Sequence, residues 1–136
     1  MIKLDHLTIA VTNCDKSRDW YIETLGLKLE FEIPERRTSA VQDEFGFTLF
    51  LAETPGGPGR PSCVLTFQVS DVEAKLAEIG ADAIVSLGPM TFDDFIEGWK
   101  TVWIRDPDGL IVEISQGFVD QANVPPRRAV ELASVS

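Results

Sequence analysis

The chain has few of the residues that build disulfide scaffolds, metal clusters and membrane spans. Its 136 residues include two cysteines, without C-x-x-C spacing, and a single histidine. Two cysteines are too few for a disulfide framework, so we expect reduced thiols that pack inside the protein. No apolar run approaches the roughly 20 residues of a membrane span, and the first residues show no signal region. The sequence therefore predicts a cytoplasmic protein with no membrane partner.

Basic residues are scarce as well. Twelve lysines and arginines stand against 22 aspartates and glutamates, which gives a net charge of −10. This sign is wrong for binding a phosphate backbone, so nucleic acid is not an expected partner. The hydrophobic share of 44% and the charged share of 25% are those of a globular protein. A chain of this size forms one ordinary domain or two small units that share a core.

Two segments that lie 58 residues apart repeat one pattern. Residues 7–12 (LTIAVT) align with residues 65–70 (LTFQVS). Both alternate apolar with small or polar positions, as half-buried strands do, and both lead into a helix start. Three strand candidates follow each helix: 27–33, 37–42 and 46–53 in the first half, and 82–87, 100–105 and 110–116 in the second. Each half therefore reads βαβββ.

Capping signals indicate where the two helices begin. The first helix is predicted over about residues 14–25, with Asn13 or Asp15 as its cap and Gly26 as its left-handed end. Residues 70–73 (SDVE) have the spacing of a capping box and predict the start of the second helix. The two helices are expected to occupy equivalent places in the two halves.

A stretch rich in proline and glycine separates the halves. Three prolines and three glycines fall within eight residues there, which excludes regular structure. We predict a first βαβββ module at residues 1–53, a Pro/Gly linker at 54–62 and a second module at 63–117. Residues 118–136 are predicted to be a C-terminal arm or a disordered tail.

Two polar residues are the first candidates for chemistry. The period of two divides each strand into a bulky face that packs on a helix and a smaller, more polar face that lines a concavity. His6 falls on the polar face of the first strand and Glu113 on that of the last. A carboxylate amid apolar residues loses hydration unless it is paired, protonated or bound to a cation. Ordinary alternatives are a strand-edge hydrogen bond for His6 and, for Glu113, an ion pair with Arg105 or with a lysine across the sheet.

Several motifs together resemble one superfamily. They are DHLTIAV at 5–11, Trp-Tyr at 20–21, Leu-Gly at 25–26, and Asp-Pro-Asp-Gly at 106–109 with Glu113 four residues on. In this combination the chain resembles the vicinal oxygen chelate superfamily, which includes glyoxalase I, extradiol dioxygenases, fosfomycin-resistance proteins and bleomycin-resistance proteins. The resemblance implies an α+β fold in which two tandem βαβββ modules form curled mixed sheets around a cavity. It also implies a homodimer.

The resemblance implies four cavity positions for a divalent metal, one on the first and one on the last strand of each module. His6 matches the first of these and Glu113 the fourth, whereas Phe50 and Val64 fall on the other two. Such metals usually take at least three His or carboxylate ligands, so His6 and Glu113 make an incomplete site for Zn, Ni, Mn or Fe. One histidine cannot supply the two that an extradiol-type iron site needs, so that activity is disfavoured.

Two functions therefore stay open at this stage. The first is a small-molecule binder of the bleomycin-resistance type, which holds a hydrophobic or aromatic ligand. The alternative is a metal-dependent glyoxalase-like lyase or isomerase in which His6 and Glu113 are the catalytic residues. Without a metal, these two residues would form a buried acid–base couple. The predicted ligand-binding residues are Phe50, Val64, Gln68, Phe92, Phe95, Trp99 and Trp103. Ligand identity, turnover and the choice between an intrachain and a dimeric cavity are not determined by the sequence.

Overall fold

The repeat in the sequence becomes two sheets of the same topology. The computed structural model describes residues 2, 4–59, 63–80, 90–91 and 97–118. The chain divides into an N-terminal unit, made of Ile2–Cys63 with Asp106–Leu110, and a C-terminal unit that holds Val64–Arg105 and the strand after Leu110. The predicted α+β class with curled mixed sheets is confirmed.

The N-terminal unit is a complete βαβββ module. Its elements are β1 (His6–Val11), α1 (Cys14–Glu23), β2 (Lys28–Ile33), a 3-10 turn (Pro34–Arg36), β3 (Thr38–Gln42) and β4 (Thr48–Glu53). The strands are ordered β1-β4-β3-β2. β1 runs parallel to β4, and the other neighbours are antiparallel. The first three predicted strands are thus confirmed to within two residues at their ends.

The C-terminal unit repeats this order. Its described elements are β5 (Leu65–Gln68), α2 (Val72–Ile79), β6 (Met90–Thr91), β7 (Lys100–Arg105) and β8 (Ile111–Gln116). The strands are ordered β5-β8-β7-β6, with β5 parallel to β8. The predicted strand at 82–87 lies outside the described residues. β6 was not predicted, because two residues are too short to show a periodicity of their own.

The helix caps match the sequence signals in one case and differ by one residue in the other. At α1, the Asn13 side chain accepts a hydrogen bond from the Lys16 backbone N–H at 3.0 Å. At α2, Asp71 rather than Ser70 is the cap, since its backbone is extended and its carboxylate accepts from the Ala74 N–H at 3.0 Å. The predicted capping box of Ser70 and Glu73 is therefore wrong, because the third residue after Asp71 is Ala74, which cannot return a side-chain hydrogen bond.

The core lies between each helix and the bulky face of its sheet. Among its buried side chains are Ile9, Val11, Leu49 and Leu51 in one unit and Leu65, Val102, Ile104, Val112 and Ile114 in the other. Full burial of such a side chain contributes about 1.5–3 kcal/mol, so these rows fix which face turns to the helix. We call the opposite face of each sheet its open face. No described helix is long and apolar enough to cross a membrane.

Both cysteines are free thiols, as predicted, but only one of them packs in the core. Cys14 at the start of α1 is buried, whereas Cys63 is exposed. The expectation that both thiols pack is therefore wrong for Cys63, which directly follows the Pro/Gly-rich stretch and precedes β5 by two residues.

Candidate functional site

The open face of the N-terminal unit carries a cluster of rings. Phe50 on β4 is paired in register with Thr8 on one side and Ala40 on the other. Its ring makes edge contacts with His6, at 5.0 Å between centroids, and with Phe31, at 5.7 Å. Phe31 remains 42% exposed. The predicted site residues His6 and Phe50 are thus in direct contact.

His6 has a carboxylate partner that the sequence analysis did not propose for it. The Nδ1 atom of His6 lies 2.8 Å from Oδ2 of Asp5, the residue just before it. With Nδ1 as the donor to this carboxylate, Nε2 is left as an acceptor. The His6 side chain is 45% exposed, so the pair is open to solvent and to a ligand. The acid next to the histidine in the sequence was the available signal.

The open face of the C-terminal unit carries an acid between two hydrogen-bond donors. Glu113 on β8 is paired in register with Thr66 on β5 and with Trp103 on β7. The indole N–H of Trp103 donates to one carboxylate oxygen at 2.7 Å, and the Thr66 hydroxyl donates to the other at 3.3 Å. These two neutral donors offset the loss of hydration of the half-buried Glu113 carboxylate. The sequence analysis gave an ion pair with a basic residue as the ordinary alternative.

Phe50 and Glu113 occupy the same position in the two sheets. Phe50 pairs with Thr8, and Glu113 pairs with Thr66, which is the counterpart of Thr8 in the repeat. The N-terminal sheet has a ring at this position and the C-terminal sheet has a carboxylate.

A second indole lies on the C-terminal open face. Trp99 donates its N–H to the hydroxyl of Ser115 at 3.1 Å, and its ring lies 4.9 Å from that of Phe118. Ser115 is paired in register with Thr101. The Thr101 hydroxyl is buried and has no hydrogen-bond partner among the described residues. This orphaned hydroxyl is adjacent to the Trp99–Ser115 pair.

The remaining predicted ligand positions have unequal outcomes. Gln68 lies on β5, paired with Ser115. Val64 lies directly before β5 and is exposed. Phe92 and Phe95 lie outside the described residues. The described ring and acid positions therefore fall into two groups, one on each sheet, and the predicted His6–Glu113 couple stays a prediction.

A charged cleft at the end of β4 was not foreseen. It encloses about 460 Å³ and is bounded by Thr12, the residues 35–37, and the residues 53–57. Arg37 bridges Glu53 and Asp15, with nitrogen–oxygen distances of 2.9 and 3.1 Å. The backbone N–H of Cys14 and the Arg37 guanidinium lower the pKa of the Glu53 carboxyl below its ordinary value. Since Glu53 accepts the Cys14 N–H and Arg37 pairs with Asp15 on α1, this region stabilises the start of α1.

Each βαβββ unit thus carries rings and a polar side chain on its own open face. Residues 3–114 match the sequence model of the Glyoxalase/Bleomycin resistance protein/Dioxygenase superfamily. The chain belongs to this superfamily. No curated protein matches it.

Solved structures share the fold at low sequence identity. An integron cassette protein from the mobile metagenome of the Halifax Harbour sewage outfall has a TM-score of 0.71 at 18% identity, over 85% of this chain and 99% of that one. TnmS3, an antibiotic-binding protein from Streptomyces sp. CB03234, has a TM-score of 0.69 at 24% identity, over 86% of this chain and 97% of that one. Lactoylglutathione lyase from Agrobacterium tumefaciens has a TM-score of 0.68 at 17% identity, over 86% of this chain and 95% of that one. At such identities the likeness shows the fold alone.

The divalent metal implied by the superfamily does not fit the residues that the structure describes. Among the described residues, no group of three or more His, Cys, Asp or Glu side chains could hold a metal ion. Phe50 and Val64 provide no donor atom, and both oxygens of Glu113 already accept hydrogen bonds. A stable site for these metals takes at least three protein ligands.

Proposed function

We propose that this protein binds a small hydrophobic or aromatic molecule on its open faces and needs no metal to do so. The observation that carries the proposal is the exposure of aromatic side chains there: Phe31 is 42% exposed and Trp103 37%. Exposed rings on a sheet face, beside a few fixed polar groups, are typical of ligand sites.

The polar groups beside these rings support the proposal. His6 is in contact with Phe50, and Glu113 is in contact with Trp103. Each polar side chain is held by a second neighbour, Asp5 for His6 and Thr66 for Glu113. A ligand would therefore meet rings for stacking and polar groups in fixed orientation, which is how small-molecule sites obtain specificity.

The similarity in fold to an antibiotic-binding protein is consistent with this proposal. At 24% identity it supports the architecture, and the choice of ligand rests on the residues of this chain. The predicted homodimer and the cytoplasmic location stay predictions. Light scattering coupled to gel filtration measures the oligomeric state directly.

The alternative is a metal-dependent lyase or isomerase that uses His6 and Glu113. One observation favours it: the Asp5 carboxylate holds Nδ1 of His6, as acids often hold metal-binding histidines. Elemental analysis of untagged protein decides between the two functions. Stoichiometric Zn, Ni, Mn or Fe that is lost in His6→Ala supports the enzyme. Metal-free protein whose ligand binding is unchanged by a chelator supports the binder.

Binding is tested with a panel of neutral aromatic compounds, by thermal shift and then by calorimetry. We expect Phe31→Ala and Trp103→Leu to weaken the compounds that bind. Phe45→Ala is the matched control, because Phe45 is 93% exposed but lies in the turn between β3 and β4 rather than on a strand. Equal losses in all three variants, or no binding by any compound, would contradict the proposal.

A further inference from the structure

Strand β2 changes the face of its side chains at one residue. Leu29 is paired in register with Val41 on β3, and Phe31 is paired with Ala40. A step of two residues along β2 thus corresponds to a step of one along β3, and Glu30 is the extra residue of a β-bulge. Because side chains alternate along a strand, every residue after the bulge takes the face opposite to the one that unbroken alternation would give.

The contacts of the two residues after the bulge show which face each of them takes. Phe31 contacts the ring of Phe50 on the open face, at 5.7 Å between centroids. Glu32 lies on the helix-packed face, where it pairs with Arg18 of α1 and accepts a hydrogen bond from the buried Ser39 hydroxyl at 3.4 Å. Unbroken alternation would instead turn Phe31 toward the helix and Glu32 toward the open face.

The extra residue of the bulge is held by a hydrogen bond from β4. The Thr48 hydroxyl donates to the Glu30 carboxylate at 2.7 Å. Thr48 lies two residues before Phe50 on β4, so their two side chains share the open face. Strand β3 lies between β4 and β2, so the bond spans one strand and ties the bulge to the middle of the sheet.

The bulge turns a large apolar side chain away from the core. Phe31 remains 42% exposed on the open face, whereas a ring on the helix-packed face would gain stability from burial. The fold therefore gives up apolar burial at this position. Bulges are frequent beside binding and active sites, where they re-aim a side chain. A ring that is exposed by such a device is available to a ligand.

We infer that Glu30 and Thr48 are positioning residues of the aromatic site on the N-terminal sheet. The bulge at Glu30 turns Phe31 to the open face, and the Thr48 hydroxyl fixes the bulge. The ring of Phe31 is thereby held beside that of Phe50 at an interplanar angle of 67°. Glu30 and Thr48 act through Phe31 and need not touch the bound molecule. This inference rests on the proposed function and names the residues that set the geometry of its site.

The test measures by calorimetry how the full chain binds acridine, which is a neutral aromatic molecule in mildly alkaline buffer. Thr48→Val keeps the shape of the side chain but removes the hydroxyl, so we expect acridine to bind about fivefold more weakly. Thr48→Ser retains a hydroxyl and should restore most of the affinity. Glu30→Ala should weaken binding as Thr48→Val does, whereas Glu30→Gln keeps an acceptor without the charge and should restore binding.

Three further measurements separate positioning from a general loss of stability. Thr38→Val removes a hydroxyl of β3 that donates to the Arg36 carbonyl oxygen, and this matched control should leave acridine binding unchanged. In a Phe31→Ala background, Thr48→Val should weaken binding no further, because the ring that it positions is absent. The nuclear Overhauser effect between the rings of Phe31 and Phe50 should be lost in Thr48→Val and retained in Thr48→Ser, with no ligand present.

The outcomes distinguish this inference from the proposed function. If Phe31→Ala weakens acridine binding but Thr48→Val does not, the sheet binds aromatic molecules without these positioning residues, and the inference fails alone. Equal losses in Thr48→Val and Thr38→Val assign the effect to the stability of the sheet and also overturn the inference. Acridine binding that Phe31→Ala leaves unchanged contradicts the proposed function for this sheet, and the inference fails with it.

Discussion

Tyr21 donates its phenolic O–H to Oδ2 of Asp106 across 2.8 Å, although the two residues lie 85 positions apart in the chain. Both groups are buried. The other oxygen of Asp106 accepts the backbone N–H groups of Asp108 and Leu110, each at 2.9 Å. Asp106 thus organises the turn before β8 and fastens it to α1 within the N-terminal unit.

Removal of the phenolic hydroxyl should destabilise the fold. Tyr21→Phe leaves a buried carboxylate oxygen without its donor, so we expect the free energy of unfolding to fall by roughly 1.5–3 kcal/mol. Urea unfolding followed by circular dichroism measures the change. Phe45→Leu, at a position that is 93% exposed, serves as the control. An unchanged unfolding midpoint in Tyr21→Phe would refute the importance of this contact.

Asp106 should give the wild type a distinctive pH dependence. Burial raises the pKa of its carboxyl, against the lowering effect of the hydrogen bonds from Tyr21 and the turn. The Asp106 carboxyl therefore binds a proton more tightly in the folded protein than in the unfolded chain. The associated stability is present below the ordinary pKa and is lost as pH rises through the folded pKa. We expect the wild type to gain stability relative to Asp106→Asn as pH falls from neutral, and thermal melts across pH measure this.

The stability that Glu53 contributes should depend on pH in the direction opposite to that of Asp106. The Cys14 N–H and the Arg37 guanidinium lower the pKa of its carboxyl. Its stabilisation is therefore present above the ordinary pKa of a glutamate and is lost as pH falls through the lowered value. We expect Glu53→Gln to have a lower melting temperature than the wild type at neutral pH, with the difference vanishing in strong acid. A difference that is constant across pH would show that the charge of Glu53 is not involved.

Gly117 should tolerate no side chain. A Cβ atom there would overlap the backbone oxygen of Gly98, and the backbone φ is +83°. Gly26→Ala is the matched control, because its φ is +79° but its surroundings are open. We expect Gly26→Ala to cost about 1–2 kcal/mol from the backbone alone, and Gly117→Ala to cost about 1–3 kcal/mol more. Equal costs in denaturant unfolding would mean that the chain relaxes around Gly98.

The two thiols should react at very different rates. Cys63 is exposed, whereas burial raises the pKa of the Cys14 thiol and keeps it protonated. A thiol reagent added to the native protein should modify one group rapidly and the second only after unfolding. Cys63→Ser should abolish the rapid phase and Cys14→Ser should leave it intact. Two rapid phases would show that the start of α1 opens readily.

The strands and helices were predictable where a periodic pattern was long enough. The alternation at residues 7–12 and its repeat 58 residues later fixed which side of each sheet is buried, and this placed His6, Phe50 and Glu113 on open faces. β6 escaped prediction because periodicity needs more than two residues.

The partners of the site residues were not predictable in the same way. Trp103 and Thr66 reach Glu113 only because three strands are aligned in one particular register, and composition does not determine that register. The Tyr21–Asp106 contact depends on how a turn packs on a helix, which leaves no periodic trace. The cap at Asp71 rather than Ser70 was a choice between two adjacent acceptors of similar strength.

The shared register of Phe50 and Glu113 makes the two sheets a natural pair for reciprocal engineering. The neighbouring strands place equivalent threonines beside both positions. Exchanging Phe50 and Glu113 would therefore move the carboxylate from one sheet to the other without a change in strand register. Because the two sheets share one register, each serves as the internal reference for the other: one shows the position with a ring and the other shows it with a carboxylate.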